Sequence, residues 1–192
     1  PEYFTSSNWK GTRELDGGGC LMNQGIHAID TMCWLAGDVK SVYGIAEAQL
    51  RDIEVEDIAM GILEFENGAK GVLMGSTISS VPEEAPEGDR LRIEFENGAI
   101  VYAEGKTTLY RRDGDDVIKT ALDEEDNRPT VSSTSDPANI DMDSQFFIVS
   151  NFITAVLDDI DPYIPGSSAR KSVDLVLALY KSSKSGEKVY ID

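Results

Sequence analysis

Apolar residues recur at helical spacing in three segments of the chain. Within residues 20–35 they stand three and four positions apart, and Gly37 follows as a natural helix stop. The same spacing predicts a second helix over residues 144–157 and a third over residues 167–186. A short strand over residues 188–191 is expected to follow the third helix.

The middle of the chain alternates between apolar and polar residues, which is the pattern of β-strands. The alternation runs from residue 39 to about residue 119, with many β-branched and aromatic side chains. The hexapeptide EFENGA occurs at residues 64–69 and again at 94–99, and each Asn-Gly pair can supply the two positive φ angles of a type I′ hairpin turn. Asp113 and Gly114 predict a third turn. The polar segment 123–137 is expected to be an exposed loop.

A helix, then several antiparallel strands, then two helices is the element order of an α+β protein. It lacks the repeated strand-helix alternation of a doubly wound sheet. We therefore predict an open, mainly antiparallel β-sheet with helices packed on one face, forming a single domain over residues 1–192.

The charge of the chain excludes some partners. Lys and Arg number 17 against 35 Asp and Glu, giving a formal net charge of −18. Such a field repels phosphate backbones and anionic lipids, so we expect neither nucleic acid nor a membrane surface as a partner. Solubility explains this acidity more simply than cation binding does.

Two cysteines and one histidine leave little room for a metal site. Cys20 and Cys33 fall in the first predicted helix about 20 Å apart, too far for a disulfide. A zinc site would be short of ligands, so no metal is expected. Free thiols fit the cytoplasm, and we expect neither a signal peptide nor a membrane span. Because the chain begins at Pro1 rather than Met, we expect it to be part of a longer protein.

The first predicted helix carries a polar stripe. Asn23, His27 and Asp30 stand at i, i+4 and i+7, and glycines at 17–19 form the loop that enters the helix. Imidazole exchanges protons near neutral pH, but spacing alone favours a packed structural histidine at position 27. Asp30 is expected to be a structural hydrogen-bond acceptor. Free amides at the helix start would favour a polar ligand nearby.

The sequence WKGT at residues 9–12, followed by DGGGCLMNQGIHAID at 16–30, resembles the signature of the C-terminal domain of the Gfo/Idh/MocA oxidoreductase family. The resemblance continues through WLAG at 34–37, ED at 56–57 and FENG at 65–68. It extends to IPG at 164–166, AR at 169–170 and YKS at 180–182, and so covers nearly the whole chain.

This resemblance implies an NAD- or NADP-dependent enzyme that moves hydride between nicotinamide and a hydroxyl carbon of a sugar, polyol or sugar derivative. It implies that a Rossmann domain outside this chain binds the cofactor and supplies a catalytic lysine. No cofactor is therefore expected to bind tightly here, and this piece alone is expected to be inactive. A homodimer or tetramer is expected to form through the open sheet face.

The resemblance also assigns roles to individual residues. His27 matches the histidine that acts as acid or base on the substrate hydroxyl, and Asn23 matches a substrate-contacting position. Many relatives have aspartate there, and since an amide does not exchange a proton near neutral pH, a hydrogen-bonding role is the safer interpretation. Lys10 and Arg13 are candidate substrate contacts, with surface charges as the alternative, and the glycines at 17–19, Gly17, Gly18 and Gly19, are expected near the cofactor.

Two other functions stay open at this level. Some relatives hold NAD tightly and oxidise the substrate only transiently, with net glycoside cleavage or epimerisation. A third possibility is a non-catalytic module that dimerises through the exposed sheet face.

Overall fold

The structure, a computed structural model, describes residues 2–78, 90–103, 106–122 and 142–191. The expected loop over 123–137 lies outside these ranges. The fold is α+β, as predicted. The chain divides into two compact units: the first comprises Pro1–Pro82 and Ala169–Asp192, and the second comprises Glu83–Ser168. The single domain expected over residues 1–192 stays a prediction.

The first unit combines helices with one antiparallel sheet. Its elements are α1 (Glu2–Thr5), a π-helical turn (Leu21–Gly25), α2 (Ile26–Ala36), β1 (Val39–Glu47), β2 (Ile58–Phe65), β3 (Lys70–Ser76) and β8 (Val189–Tyr190). The helix α4 (Gly166–Ser185) supplies the remaining helical residues from Ala169 onward. The strand order is β3-β2-β1-β8, and every neighbouring pair is antiparallel.

Helices cover one face of this sheet. Along β2 the buried residues alternate with exposed ones, so Gly61 and Leu63 face the core. A Cβ at Gly61 would lie 2.9 Å from the side chain of Leu179 on α4, and a Cβ at Gly75 would lie 2.7 Å from Leu21 of the π-turn. The glycines therefore let the helical layer approach the strands closely, which confirms helices on one face.

The opposite face of the same sheet is apolar and exposed. Tyr43 pairs across the strands with Ile62, which pairs with Val72, and Ile45 similarly pairs with Met60, which pairs with Met74. All six side chains are exposed, with Val72 at 80% and Met74 at 72%. We call these six residues the open face: Tyr43, Ile45, Met60, Ile62, Val72 and Met74.

The second unit is a four-stranded antiparallel meander with one helix. Its elements are β4 (Arg90–Phe95), β5 (Gly98–Ala103), β6 (Lys106–Asp113), β7 (Asp116–Ala121) and α3 (Met142–Asp158), and the strand order follows the chain. On α3 the large apolar side chains from Phe146 to Leu157 are exposed, and Phe147 meets Tyr163 edge to face with ring centroids 6.3 Å apart.

The three predicted hairpins form, but the type I′ prediction is wrong for both Asn-Gly turns. Neither Asn67 nor Asn97 has a positive φ. At the first turn the amide of Gly68 donates to the carbonyl of Phe65 at 3.0 Å and its φ is +88°, so a three-residue loop ends in a left-handed glycine. At the second, Phe95 pairs with Gly98, which makes residues 96–97 the turn.

The helices and cysteines largely follow expectation. Both thiols, those of Cys20 and Cys33, are free in the structure. Burial, and then the negative charges of Glu56 and Asp57, raise the pKa of Cys20 to about 12. Burial, and then the negative charge of Asp30, raise the pKa of Cys33 to about 11.

In the described part of the chain, no helix is long and apolar enough to cross a membrane.

Candidate functional site

The segment that carries the candidate residues is not a single α-helix. Its first turn, Leu21–Gly25, is π-helical. The amide of Gly25 donates to the carbonyl of Cys20, five residues earlier, at 2.9 Å, which is the hydrogen bond of a π-helix. A Cβ at Gly25 would lie 2.8 Å from that carbonyl, so glycine makes the wide turn possible. The predicted α-helical register therefore holds only from Ile26 onward, and Asn23 lies on the π-turn.

His27 is the second residue of α2, and its side chain is exposed. Within the described residues the imidazole ring has no hydrogen-bond partner, while the backbone carbonyl of His27 accepts from Thr31 at 3.0 Å. Asp30 accepts a hydrogen bond from the hydroxyl of Ser172 on α4 at 3.1 Å, so it is the hydrogen-bond acceptor that the sequence predicts. The stripe thus presents an accessible ring beside a fixed carboxylate.

Tyr3 brings Asn23 and Lys10 together. The side-chain amide of Asn23 donates to the phenol oxygen of Tyr3 at 3.0 Å. The ammonium of Lys10 lies 3.9 Å from the centroid of the Tyr3 ring and 5.7 Å from that of Trp9, and donates to Ser6 at 3.0 Å. Two of the predicted substrate contacts therefore meet on one exposed aromatic ring.

Glu56, a buried residue just before β2, fixes the entrance of the π-turn. One carboxylate oxygen accepts from the amide of Gly19 at 2.8 Å, and the other accepts from the amide of Leu21 at 3.0 Å. The backbone carbonyl of Glu56 accepts from the amide of Cys20 at 3.1 Å. The expectation of free amides here is wrong, because a carboxylate 35 or more positions away in the chain occupies them.

The same carboxylate also holds α4. Tyr180 donates its phenol hydrogen to Glu56 at 2.8 Å. Burial, and then the negative charge of Glu56, raise the pKa of Tyr180, so this phenol stays protonated and serves as a donor. Glu56 therefore ties the glycine loop, the π-turn and α4 into one arrangement.

Two of the glycines are required by packing. A Cβ at Gly19 would overlap the backbone carbonyl of Glu56, and one at Gly18 would overlap the hydroxyl of Tyr180. Gly17 instead has a φ of +77° with open space around its Cα. The loop therefore needs glycine for close approach at two positions and for its torsion at the third.

Asp57, the neighbour of Glu56, holds a different loop. Its fully buried carboxylate accepts from the amides of Gln49, Leu50 and Arg51 at 2.8 to 3.0 Å. Burial alone would raise the pKa of Asp57, but these three donors and the Arg51 charge together lower it below its ordinary value. The ED pair thus fastens two loops.

Arg13, Gly17 and Gly18 line a cavity of about 670 Å³ in the first unit, together with Tyr180 and Lys181. Neither Asn23 nor His27 lines it. The structure therefore separates the predicted residues into an exposed cluster around Tyr3 and a cavity beside the glycine loop. In the described ranges no group of three or more His, Cys, Asp or Glu could hold a metal ion.

Sequence reasoning missed Tyr3, Glu56 and Tyr180 as parts of this region. The last two stood in the ED and YKS segments, but their contact joins positions 124 residues apart. Tyr3 lies 20 residues from Asn23 and carried no motif signal. Only tertiary structure could pair these side chains.

The chain is similar to known proteins over most of its length. The family model described as the GFO/IDH/MocA C-terminal domain matches residues 1–126. Among solved structures, the WlbA dehydrogenase from Bordetella pertussis, in complex with NADH and UDP-GlcNAcA, is 22% identical with a TM-score of 0.64, covering 100% of this chain and 50% of that one. An NAD binding oxidoreductase from Klebsiella pneumoniae is 19% identical with a TM-score of 0.76, covering 97% and 54%.

A levoglucosan dehydrogenase in complex with NADH is 14% identical with a TM-score of 0.74, covering 97% of this chain and 54% of that one. At these identities the structural matches establish the fold. The chain spans about half the length of the solved relatives it matches.

Proposed function

The chain belongs to the GFO/IDH/MocA family through its C-terminal domain, and we propose that it forms the substrate side of an NAD(P)-dependent oxidoreductase acting on a sugar, polyol or sugar derivative. A dinucleotide-binding domain outside this chain would hold the cofactor in the main. The solved relatives that carry NADH, one of them together with a nucleotide sugar, support this proposal. The two free thiols favour a reducing, cytoplasmic location.

The observation that carries the proposal is the exposed imidazole of His27, which lies about one turn after Asn23, the residue that donates a hydrogen bond to Tyr3. His27 accepts the proton of the substrate hydroxyl as the carbon–hydrogen bond breaks and the carbonyl forms, and returns it in the reverse reaction. A nicotinamide cofactor, when bound by the other domain, would supply the hydride acceptor or donor. Because Asn23 donates to the phenol oxygen of Tyr3, the Tyr3 hydrogen can point to a second substrate hydroxyl.

The chain's own residues suit the substrate better than the cofactor. The amides of Gly19, Cys20 and Leu21, which a dinucleotide phosphate would need, already donate to Glu56. Side chains are left as the recognition groups: His27, the Asn23 and Tyr3 pair, and Lys10 over the Tyr3 ring. This division agrees with a cofactor that is bound mainly by another domain.

The test uses His27→Ala in the full-length protein, with Thr31→Ala, one turn further along α2, as the matched control. We expect His27→Ala to lower kcat by about 10²- to 10⁴-fold and to leave NADH binding unchanged, since a positioned acid or base contributes that much. Thr31→Ala should keep wild-type kcat. Unchanged turnover in His27→Ala would remove the imidazole from the mechanism.

The net reaction can be measured with the same full-length protein. Net dehydrogenation accumulates absorbance of the reduced nicotinamide, whereas a cofactor that cycles within each turnover does not. Product analysis then separates a dehydrogenase from a glycosidase or epimerase.

We also propose that the open face pairs with a second copy of the chain. Six exposed apolar side chains in direct cross-strand register form a patch that monomeric proteins rarely leave in water. Sheets that are apolar on both faces are typically covered on both. Sedimentation of an Ile62→Lys variant should show dissociation, with Lys40→Gln as a control, and a wild-type monomer at high concentration would refute the pairing.

A further inference from the structure

The cavity beside the glycine loop carries three basic side chains: Arg13, Lys181 and Lys184. Its volume of about 670 Å³ is in the range that holds a small-molecule ligand. Ala46, Ala48 and Val55 give it an apolar wall. The proposed proton-transfer residue His27 does not line it, so this cavity calls for its own explanation.

The three cations have no partner among the described residues, neither a hydrogen bond to their side chains nor an ion pair. Two lysines elsewhere in the same unit form ion pairs: Lys171 lies 2.6 Å from Asp38, and Lys188 lies 2.6 Å from Glu64. The Arg13 backbone is held, because its amide donates to Glu54 at 2.9 Å, while its guanidinium is left for other contacts. In a chain with about two acids for every base, unpaired cations around one cavity are available to a ligand.

The two carboxylates that line the cavity, those of Glu47 and Glu56, form no ion pair with these cations. Glu56 already accepts hydrogen bonds from Gly19, Leu21 and Tyr180. Glu47 is exposed at the end of β1. The negative end of the α4 dipole favours Lys184 in its last turn, but it does not account for Arg13, which reaches the cavity from the loop before Gly17.

We propose that this cavity binds the phosphate group of a small-molecule phosphate ester such as a nucleoside diphosphate. Arginine presents two parallel N–H donors to a phosphate, and lysine supplies point charges on flexible stems. Three cations suit a multiply charged phosphate better than a single carboxylate. The apolar wall of Ala46, Ala48 and Val55 is left for the organic part of the ligand.

The experiment is calorimetric titration of the full-length protein with inorganic pyrophosphate, then with uridine diphosphate and NADH as separate probes. The variants are Arg13→Gln and the double variant Lys181→Gln/Lys184→Gln. Lys40→Gln is the matched control, because Lys40 is exposed in the same unit, does not line the cavity and changes the net charge equally per residue. Thermal melting verifies that each variant folds.

We expect pyrophosphate to bind the wild type, and each cavity variant to weaken binding by about ten- to a hundredfold, the loss of one or two charge-assisted contacts. Lys40→Gln should bind as the wild type does. If uridine diphosphate binding depends on Arg13, the phosphate belongs to the substrate, and if NADH binding does, it belongs to the cofactor. Absence of pyrophosphate binding, or equal weakening in the control, overturns the proposal whether or not His27 is catalytic.

Discussion

Removing the carboxylate of Glu56 should release the loop that leads into the candidate site. In Glu56→Ala the amides of Gly19 and Leu21 and the phenol of Tyr180 lose their acceptor in a buried setting. Each buried donor left unsatisfied costs about 1–3 kcal/mol, and water that enters the space offsets part of this. We therefore expect about 3–5 kcal/mol lower free energy of unfolding, a large share of a domain's usual stability.

Two milder variants grade the effect. Glu56→Gln keeps one acceptor oxygen but turns an NH₂ group toward a backbone donor, which should cost about 1–3 kcal/mol. Tyr180→Phe removes a single donor and should cost about 1 kcal/mol. Glu66→Gln changes an exposed carboxylate in the β2–β3 turn and should stay within about 0.5 kcal/mol of the wild type.

Urea unfolding followed by tryptophan fluorescence measures this series, because both tryptophans, Trp9 and Trp34, lie in the first unit. The dependence of the unfolding free energy on urea concentration should be the same in all variants. The urea concentration at the midpoint should fall slightly in Tyr180→Phe, more in Glu56→Gln and most in Glu56→Ala. If the alanine and glutamine variants both unfold with the wild-type midpoint, the carboxylate does not hold this loop and the reasoning is refuted.

Three further predictions concern the same unit. Gly19→Ala should destabilise by about 2 kcal/mol or more, because its Cβ overlaps a backbone carbonyl, whereas Gly17→Ala faces only an unfavourable torsion and should cost about 1 kcal/mol in the same urea assay. The pKa of Asp57 is lowered in the folded state, so its carboxylate stabilises the fold above the ordinary carboxylate pKa, and this stabilisation is lost as the pH falls below that value. The melting temperature of Asp57→Asn should therefore fall less steeply on acidification than that of the wild type. An equally steep fall in the variant would contradict this reasoning. Hydrogen bonds from Lys188, then Lys70, lower the pKa of Glu64 to about 2, so the ionised carboxylate stabilises the wild type above about pH 4.5 and this contribution is lost as the pH falls to about 2. Glu64→Gln lacks this contribution and should lose less stability over the same pH range.

Periodicity and turn residues predicted the elements well, because those signals are local. The apolar spacing over residues 144–157 and 167–186 matches α3 and α4, and the three turns stand where Asn-Gly and Asp-Gly occur. The type I′ geometry failed because the backbone around Gly68 closes a longer loop than the dipeptide alone requires.

The π-turn and its fastening could not be predicted from local pattern. The hydrogen bond from the Gly25 amide to the Cys20 carbonyl competes with an ordinary helical turn. The Glu56 carboxylate that orders the entrance comes from the segment before β2, 37 positions from Gly19. The resemblance supplied His27, whose catalytic role stays a prediction. Tyr3 joins Asn23 to Lys10 only because the fold brings α1 next to the π-turn, and no local sequence signal predicts that contact.

The two protonated thiols make the protein convenient for site-specific chemistry. At pH 8 a thiol with a pKa of about 12 is ionised in roughly one molecule in ten thousand, and the thiolate is the reactive form. A cysteine introduced at Lys40 on β1 would be exposed and would react with maleimide far faster than Cys20 or Cys33. Spin labels or fluorophores can therefore be attached to the sheet without first replacing the native sulfur atoms.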